Sequence, residues 1–338
     1  MANDAQESRS KRSLSWLILA IICTLLVFTL ALNIYWSAEP DMFDVYQTAK
    51  SKADADNTQI VTGYVTTNTL IHVSETILQK RGGYISNDIL PPGIFMDNIP
   101  SWEFGVLVQI RDFSKALRND ISRAQTQSVE NQFLAKAEPQ FNVDSNSWIF
   151  PSAENEYEEG IESLEKYLQQ LTDKSDGNTQ FFARADNLRD WLRTAANRLG
   201  SLSQRLSASV GQERINTNLA GDAEAQQSTY EPEILDVKTP WMEIDDVFYE
   251  ARGTCWALIH LLRAIEVDFA EVLKKKNATR SLLQIIRELE ATQRTVWSPM
   301  VLNGSDFGFF ANYSLVMSSY ISRANAGIID LRDLLSQG

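Results

Sequence analysis

Along most of this chain, hydrophobic residues recur at intervals of three and four. The clearest run follows Pro151, where Tyr157, Ile161, Leu164, Leu168 and Leu171 are spaced 4, 3, 4 and 3. That spacing puts apolar side chains on one face of a helix. After a polar stretch, TDKSDGN at 172–178, a second seam runs through Phe181, Ala185, Leu188, Leu192, Ala195, Leu199, Leu202 and Leu206. A heptad seam of this length specifies a helix that buries one stripe. Two such helices joined by seven residues are expected to fold back as a projecting antiparallel hairpin over 152–210. Pro151-Ser152 followed by carboxylates suits a helix start, because negative charge stabilises the positive end of the helix dipole.

The same period returns in 241–338. A helix is predicted from Trp241, through Leu258, Leu262, Ile265, Phe269 and Val272, to Lys274-Lys275-Lys276. A shorter helix carries Leu282, Ile286 and Leu289, and a last one carries Tyr313, Met317, Tyr320, Ala324, Ile328, Leu331 and Leu335. Between the two halves, 212–240 loses the pattern and contains Gly221, Pro232 and Pro240, which reads as a long connection. The region 41–150 mixes helices and loops. Val106, Ile110, Phe113, Leu117 and Ile121 form one stripe, and Thr66–Lys80 reads as a helix stopped by Arg81-Gly82-Gly83. The β-branched stretch 59–67 fits a short strand or the start of that helix, and the helix is preferred.

One stretch has no polar period at all. Leu14 to Trp36 is 23 residues without a charge, roughly 35 Å of helix and enough to cross a hydrocarbon core of about 30 Å. Trp16 at one end and Tyr35-Trp36 at the other suit the headgroup zones. Arg9, Lys11 and Arg12 precede it, while Glu39, Asp41 and Asp44 follow. Basic residues stay on the cytoplasmic side, which gives a cytoplasmic tail (1–13), a transmembrane helix (14–36) and an outer domain (37–338). A cleaved signal peptide is the competing reading, but its apolar core would be shorter.

Charge narrows the partners. Removing the three basic and two acidic residues of the first 36 leaves 28 basic against 42 acidic over 302 positions. No basic stripe is present for nucleic acid, and the Lys274–Lys276 cluster reads as a solvated last helical turn. Anionic lipid would repel such a domain, so it is expected to stand off the membrane surface. Cys23 lies in the apolar span and Cys255 in a buried helix, so the two cannot pair.

Candidate chemistry is sparse. The histidines are His72 and His260, one in each half of the domain, and His260 sits among apolar neighbours as a core residue would. Cys255 has no basic neighbour to activate it. Nucleotide-binding glycine motifs and nucleophile motifs do not occur in a fitting setting. Glu154, Glu156, Glu158 and Glu159 suit a helix first turn better than glycan hydrolysis. No catalytic residue, cofactor or metal is therefore assigned. The candidate partner-binding segment is the loop Arg81–Trp102, with Tyr84, Asn87, Asp88, Trp102 and Glu103, because fixed loops bearing aromatics and amides often dock partners. The competing reading makes Tyr84 and Trp102 core anchors of a rigid connection.

Four segments resemble a proteobacterial family known only as a domain of unknown function: GGYISNDILPPG (82–93), WEFGVLVQIRDFSKALRND (102–120), RADNLRDWL (184–192) and RLGSLSQRLSASVG (198–211). The resemblance spans nearly the whole chain, anchor included, and implies a Gram-negative inner-membrane setting. It carries over no functional residue. The sequence thus predicts an all-α protein, one membrane helix followed by an elongated bundle with a long hairpin. Its expected role is a periplasm-facing interaction or scaffold protein, touching the bilayer through its N-terminal helix and an envelope protein partner. The alternative is a periplasmic carboxylate-dependent hydrolase of cell-wall glycan. Oligomeric state is not legible.

Overall fold

The computed structural model describes residues 2–124, 129–173, 179–216, 234–298, 300–305 and 308–337. The turn at 174–178, Gly221, Pro232 and Pro299 lie outside them. Helix makes up 69% of the structure, so the class is all-α. In order come α1 (Ala2–Trp36), α2 (Val45–Ala55), α3 (Tyr64–Gln79), α4 (Asn98–Ala116), α5 (Gln132–Phe141), α6 (Ala153–Thr172) and α7 (Ala185–Ser207). Two short strands follow, β1 (Gln212–Ile215) and β2 (Ile234–Val237), paired antiparallel with Gln212 opposite Val237. The chain closes with α8 (Ile244–Asp268), α9 (Ala270–Lys275), α10 (Thr279–Ala291) and α11 (Tyr313–Ser336).

The seam leucines 188, 192, 199, 202 and 206 are all buried, but the packing partners differ from the expected hairpin. α6 lies on α5 and α3, whereas α7 lies on α11 and α4. The cause sits in 179–184, which is extended rather than helical. Phe181, the first seam position, leaves the helix pattern to bury its ring against Phe269 and the Gly63 backbone. The Phe182 N–H bonds the Ile121 carbonyl at 2.7 Å. That crossing carries α7 away from α6. A heptad pattern states that a face is buried, not which element buries it.

Three smaller differences have local causes. α4 starts at Asn98 instead of Val106, with Asp97 accepting from the Asn98 N–H and Pro100 in the first turn, where its missing amide costs little. Trp102 and Glu103 are therefore helical, not loop. α2 and α5 bury only three residues each, half of them alanines that give weak apolar contrast, and are started by Asp44 and Asn131 caps. The predicted run to the lysine triplet breaks at Phe269 into α8 and α9. No strand forms at 59–67, and α3 begins at Tyr64.

α8 is the central helix, with seventeen of its residues buried, and α4 lies along it. Gly105 of α4 meets the Glu250 carbonyl and Gly253 of α8 meets the Trp102 carbonyl. A Cβ at either place would stand about 2 Å from a backbone oxygen, so the two glycines let the helices touch backbone to backbone. This pairing aligns the N-termini of α4 and α8, where Ser101 Oγ donates to Asp246 at 3.0 Å. The end of α3 and the start of α6 meet there too, and so do the end of α7 and the start of α11. This is the end from which α1 departs. The opposite, far end brings Asp268 to the Thr66 N–H at 2.7 Å.

Candidate functional site

The α3–α4 connection is built around Glu103. Its carboxylate is fully buried and accepts from the Ile85 N–H at 3.0 Å, the Ser86 N–H at 2.8 Å and Ser86 Oγ at 2.5 Å. Lys80, also buried, reaches it at 2.5 Å and donates to the Gly83 carbonyl at 2.7 Å. Burial pushes the Glu103 carboxyl upward, opposed by Lys80 and the loop donors. Tyr84 is buried, with its hydroxyl donating to the Ser145 carbonyl at 3.0 Å. Asn87, buried as well, donates to the Ser147 carbonyl at 2.9 Å and to Glu154 at 2.7 Å. Trp102 packs 5.3 Å from Trp256, centroid to centroid.

Four of the five predicted site residues are therefore enclosed and hold the loop to the bundle. Asp88 is half-buried, and its carboxyl is pushed up by burial and by Glu154. The large apolar side chains this loop offers to solvent are instead Ile89, Leu90, Ile94 and Phe95.

The other chemical candidates are inward too. His260 is fully buried, donates to the Trp256 carbonyl at 2.7 Å, accepts from the Phe43 N–H at 3.1 Å and stacks on the Phe43 ring. Burial holds its pKa down to about 3, so the ring is neutral. The Cys255 thiol is pushed up to about 12 by burial. Among the described residues, no group of three or more His, Cys, Asp or Glu side chains converges as metal ligands would.

A different feature emerges between α8 and the α10–α11 connection. A pocket of about 200 Å³ is walled by Phe248, Val296, Trp297, Tyr313, Met317 and Tyr320, with Arg252 and Arg294 at its edge. Arg252 spans the wall, bonding the Thr292 and Arg294 carbonyls at 2.9 Å and the Glu39 carboxylate at 2.6 and 2.7 Å. The connection is pinned again at its neck. Asn312 caps α11 through Leu315 N–H and donates to Asn303 Oδ1 and the Gly304 carbonyl. Trp297 is 90% exposed, and Phe309 and Phe310 stand out beyond the neck.

The other described concavities have more polar walls. A 690 Å³ cleft between Val210, Trp241 and Asn303 has largely loop walls. A 370 Å³ cleft beside Ser37–Met42 contains Glu39, which Arg252 already holds. At the far end, 390 Å³ lies beside the Lys52–Glu165 pair. Among the described concavities the aromatic pocket has the most strongly apolar wall, so it can bind by desolvation.

Residues 9–338 match the model of a family described as uncharacterized protein conserved in bacteria, DUF2333. The chain belongs to this family. No curated protein and no solved structure matches it. Sequence reasoning reached the family but passed over the pocket in this member. Val296 and Trp297 lie outside any helical period, whereas Tyr313 and Tyr320 read as part of the last helix's stripe, and nothing in the sequence joins the two segments.

Proposed function

We propose that this protein is a single-pass interaction protein of the bacterial envelope, with its N-terminus cytoplasmic and its helical domain in the periplasm. In this reading α1, whose Ser15–Trp36 stretch is long and apolar enough to cross a membrane, is a retained anchor. The domain docks an apolar segment of another envelope protein. The observation carrying it is the aromatic pocket beside α11, whose wall, among the described residues, holds no carboxylate and no histidine. Such a wall gains energy by excluding water from a partner's side chains. Glycan hydrolysis would need two carboxyl groups facing each other across about 5–9.5 Å of open cleft. The acids pushed upward are Asp88, Glu103, Asp120, Asp246 and Asp268, and none of them lines a described pocket.

The test places a photo-crosslinking amino acid at Val316 or Trp297 in living cells. The expected result is one discrete adduct with an envelope protein, absent when the probe sits at exposed Arg193. Equal, diffuse labelling at all three sites would overturn the docking reading. Hydrolysis of cell-wall glycan by the purified full chain, lost in Glu154→Gln, would replace it. A periplasm-only reporter fused after Gly338 should be active, and the mature protein should keep its N-terminal helix.

A further inference from the structure

The two ends of the domain differ in what their connections expose. At the α1 end, Leu90 and Phe95 follow α3, Trp148 precedes α6, Trp241 precedes α8, and Trp297 and Phe309 lie between α10 and α11. All six are more than half exposed, from 52% for Trp148 to 99% for Phe309. At the far end, the large apolar side chains exposed on described connections are Ile60 and Val129, neither of them aromatic.

The α1-end connections are tied to one another. Tyr84 and Asn87 bond the 145–147 backbone, Ser101 bonds Asp246, Arg252 bonds the 292–294 carbonyls, and Asn303 donates to the Ser209 carbonyl. They therefore present one continuous end face rather than independent loops.

α1 stands clear of the domain, exposed from Ser15 to Phe28, and meets it only through its last turn. Trp36 lies against Gly82, whose φ of +86° leaves no room for a side chain there, and the Arg81 guanidinium sits 5.2 Å from the Tyr35 ring centre. Three residues beyond Trp36, Glu39 is already held by Arg252. Three residues reach at most about 10 Å, so no tether can hold the domain away from the surface that α1 enters.

We propose that this aromatic end face is seated in the lipid interface around α1, with Leu90, Phe95, Trp148 and Trp241 dipping into the headgroup and upper acyl region of the outer leaflet. The proposal rests on the anchor reading of α1. Indole and phenyl rings favour that zone, and apolar faces of interfacial segments settle about 5–10 Å deep in it. Asp97, Glu243 and Asp245 lie beside these rings, so the attraction is apolar, not electrostatic. The seating replaces the stand-off expected from net charge: charge repulsion acts through water and is screened within about 8–10 Å, whereas burying aromatic rings is a contact effect. It also orients the aromatic pocket beside the bilayer.

The test uses the full chain in vesicles of zwitterionic phosphatidylcholine, in a Cys23→Ala background where buried Cys255 stays unlabelled. An environment-sensitive dye is attached at Leu90→Cys, Phe95→Cys or Trp241→Cys, and at Val129→Cys for comparison. Lipids bearing a nitroxide near the headgroup should quench the first three several-fold more than the last, equally in low and high salt. Iodide in the water should do the reverse. Labels at 90, 95 and 241 as open to iodide as the label at 129 would overturn the seating. Blue-shifted labels untouched by lipid nitroxide would also overturn it, because protein, a second copy included, would then cover the face. Alkaline extraction separates the readings. A chain retained in the vesicles with water-exposed labels sinks the seating alone, and a chain washed out sinks the anchor and the seating together.

Discussion

The α3–α4 and α10–α11 connections leave the same end of the domain, and they are held in opposite ways. The first wraps a buried carboxylate. Glu103 collects two backbone amides, one hydroxyl and the Lys80 ammonium, while Asn87 and Tyr84 bolt the loop to the next connection. The second is closed at its neck by Asn312, tied to Ser209 by Asn303 and crossed by Arg252, while Trp297, Phe309 and Phe310 face outward. Polar and aromatic residues inside a loop signal how it is fastened. Apolar residues left outside any period signal what it offers. In this protein the two signals fall on different loops, and the sequence reading followed the first.

Removing the fastener should have the largest effect. Glu103→Ala leaves the Lys80 ammonium buried without a counter-charge, a change that costs about 3–5 kcal/mol. The full chain in detergent should melt roughly 10 °C lower. Changing both partners, Lys80→Met with Glu103→Leu, removes the lone charge but leaves the Ile85 and Ser86 amides without an acceptor. It should recover only part of the loss. Unchanged melting in the single variant would mean that the loop is not held by this pair.

Asn87→Ala is expected to cost less, about 1–3 kcal/mol, by leaving the Ser147 carbonyl and Glu154 without their donor. Amide exchange should quicken over 145–150, with α7 unaffected. Protection that stays level across both connections would break the link between them.

At the open connection the expected effect on stability is smallest. Trp297→Ala and Phe309→Ala should stay within about 0.5 kcal/mol of wild type, as exposed substitutions usually do. A loss above about 2 kcal/mol in a denaturant titration would show that these rings are structural after all.

Much of the fold was legible because helices announce themselves locally. The apolar span of α1, the buried faces of α6, α7, α10 and α11, and the buried settings of His260 and Cys255 all follow from side-chain pattern. The short helices α2 and α5 escaped, since half of their buried residues are alanines, which hardly stand out from a polar background. The candidate loop was located, and Tyr84 and Trp102 are buried as the core-anchor reading has them. The polar ties were not legible, because Asn87 and Glu103 meet groups such as Ser147 and Lys80 that converge only after folding.

By itself the sequence determined the elements: which stretches are helical, which faces must be dry, and that one helix is apolar all round. Those properties depend on residues three or four apart, and the period records them. Only the tertiary structure decided the pairings, sending α7 to α11 instead of α6 and bringing α4 onto α8 through Gly105 and Gly253. It also decided which loops share an end. Those outcomes rest on contacts between residues a hundred or more positions apart, and no local pattern encodes which of several apolar stripes will cover another.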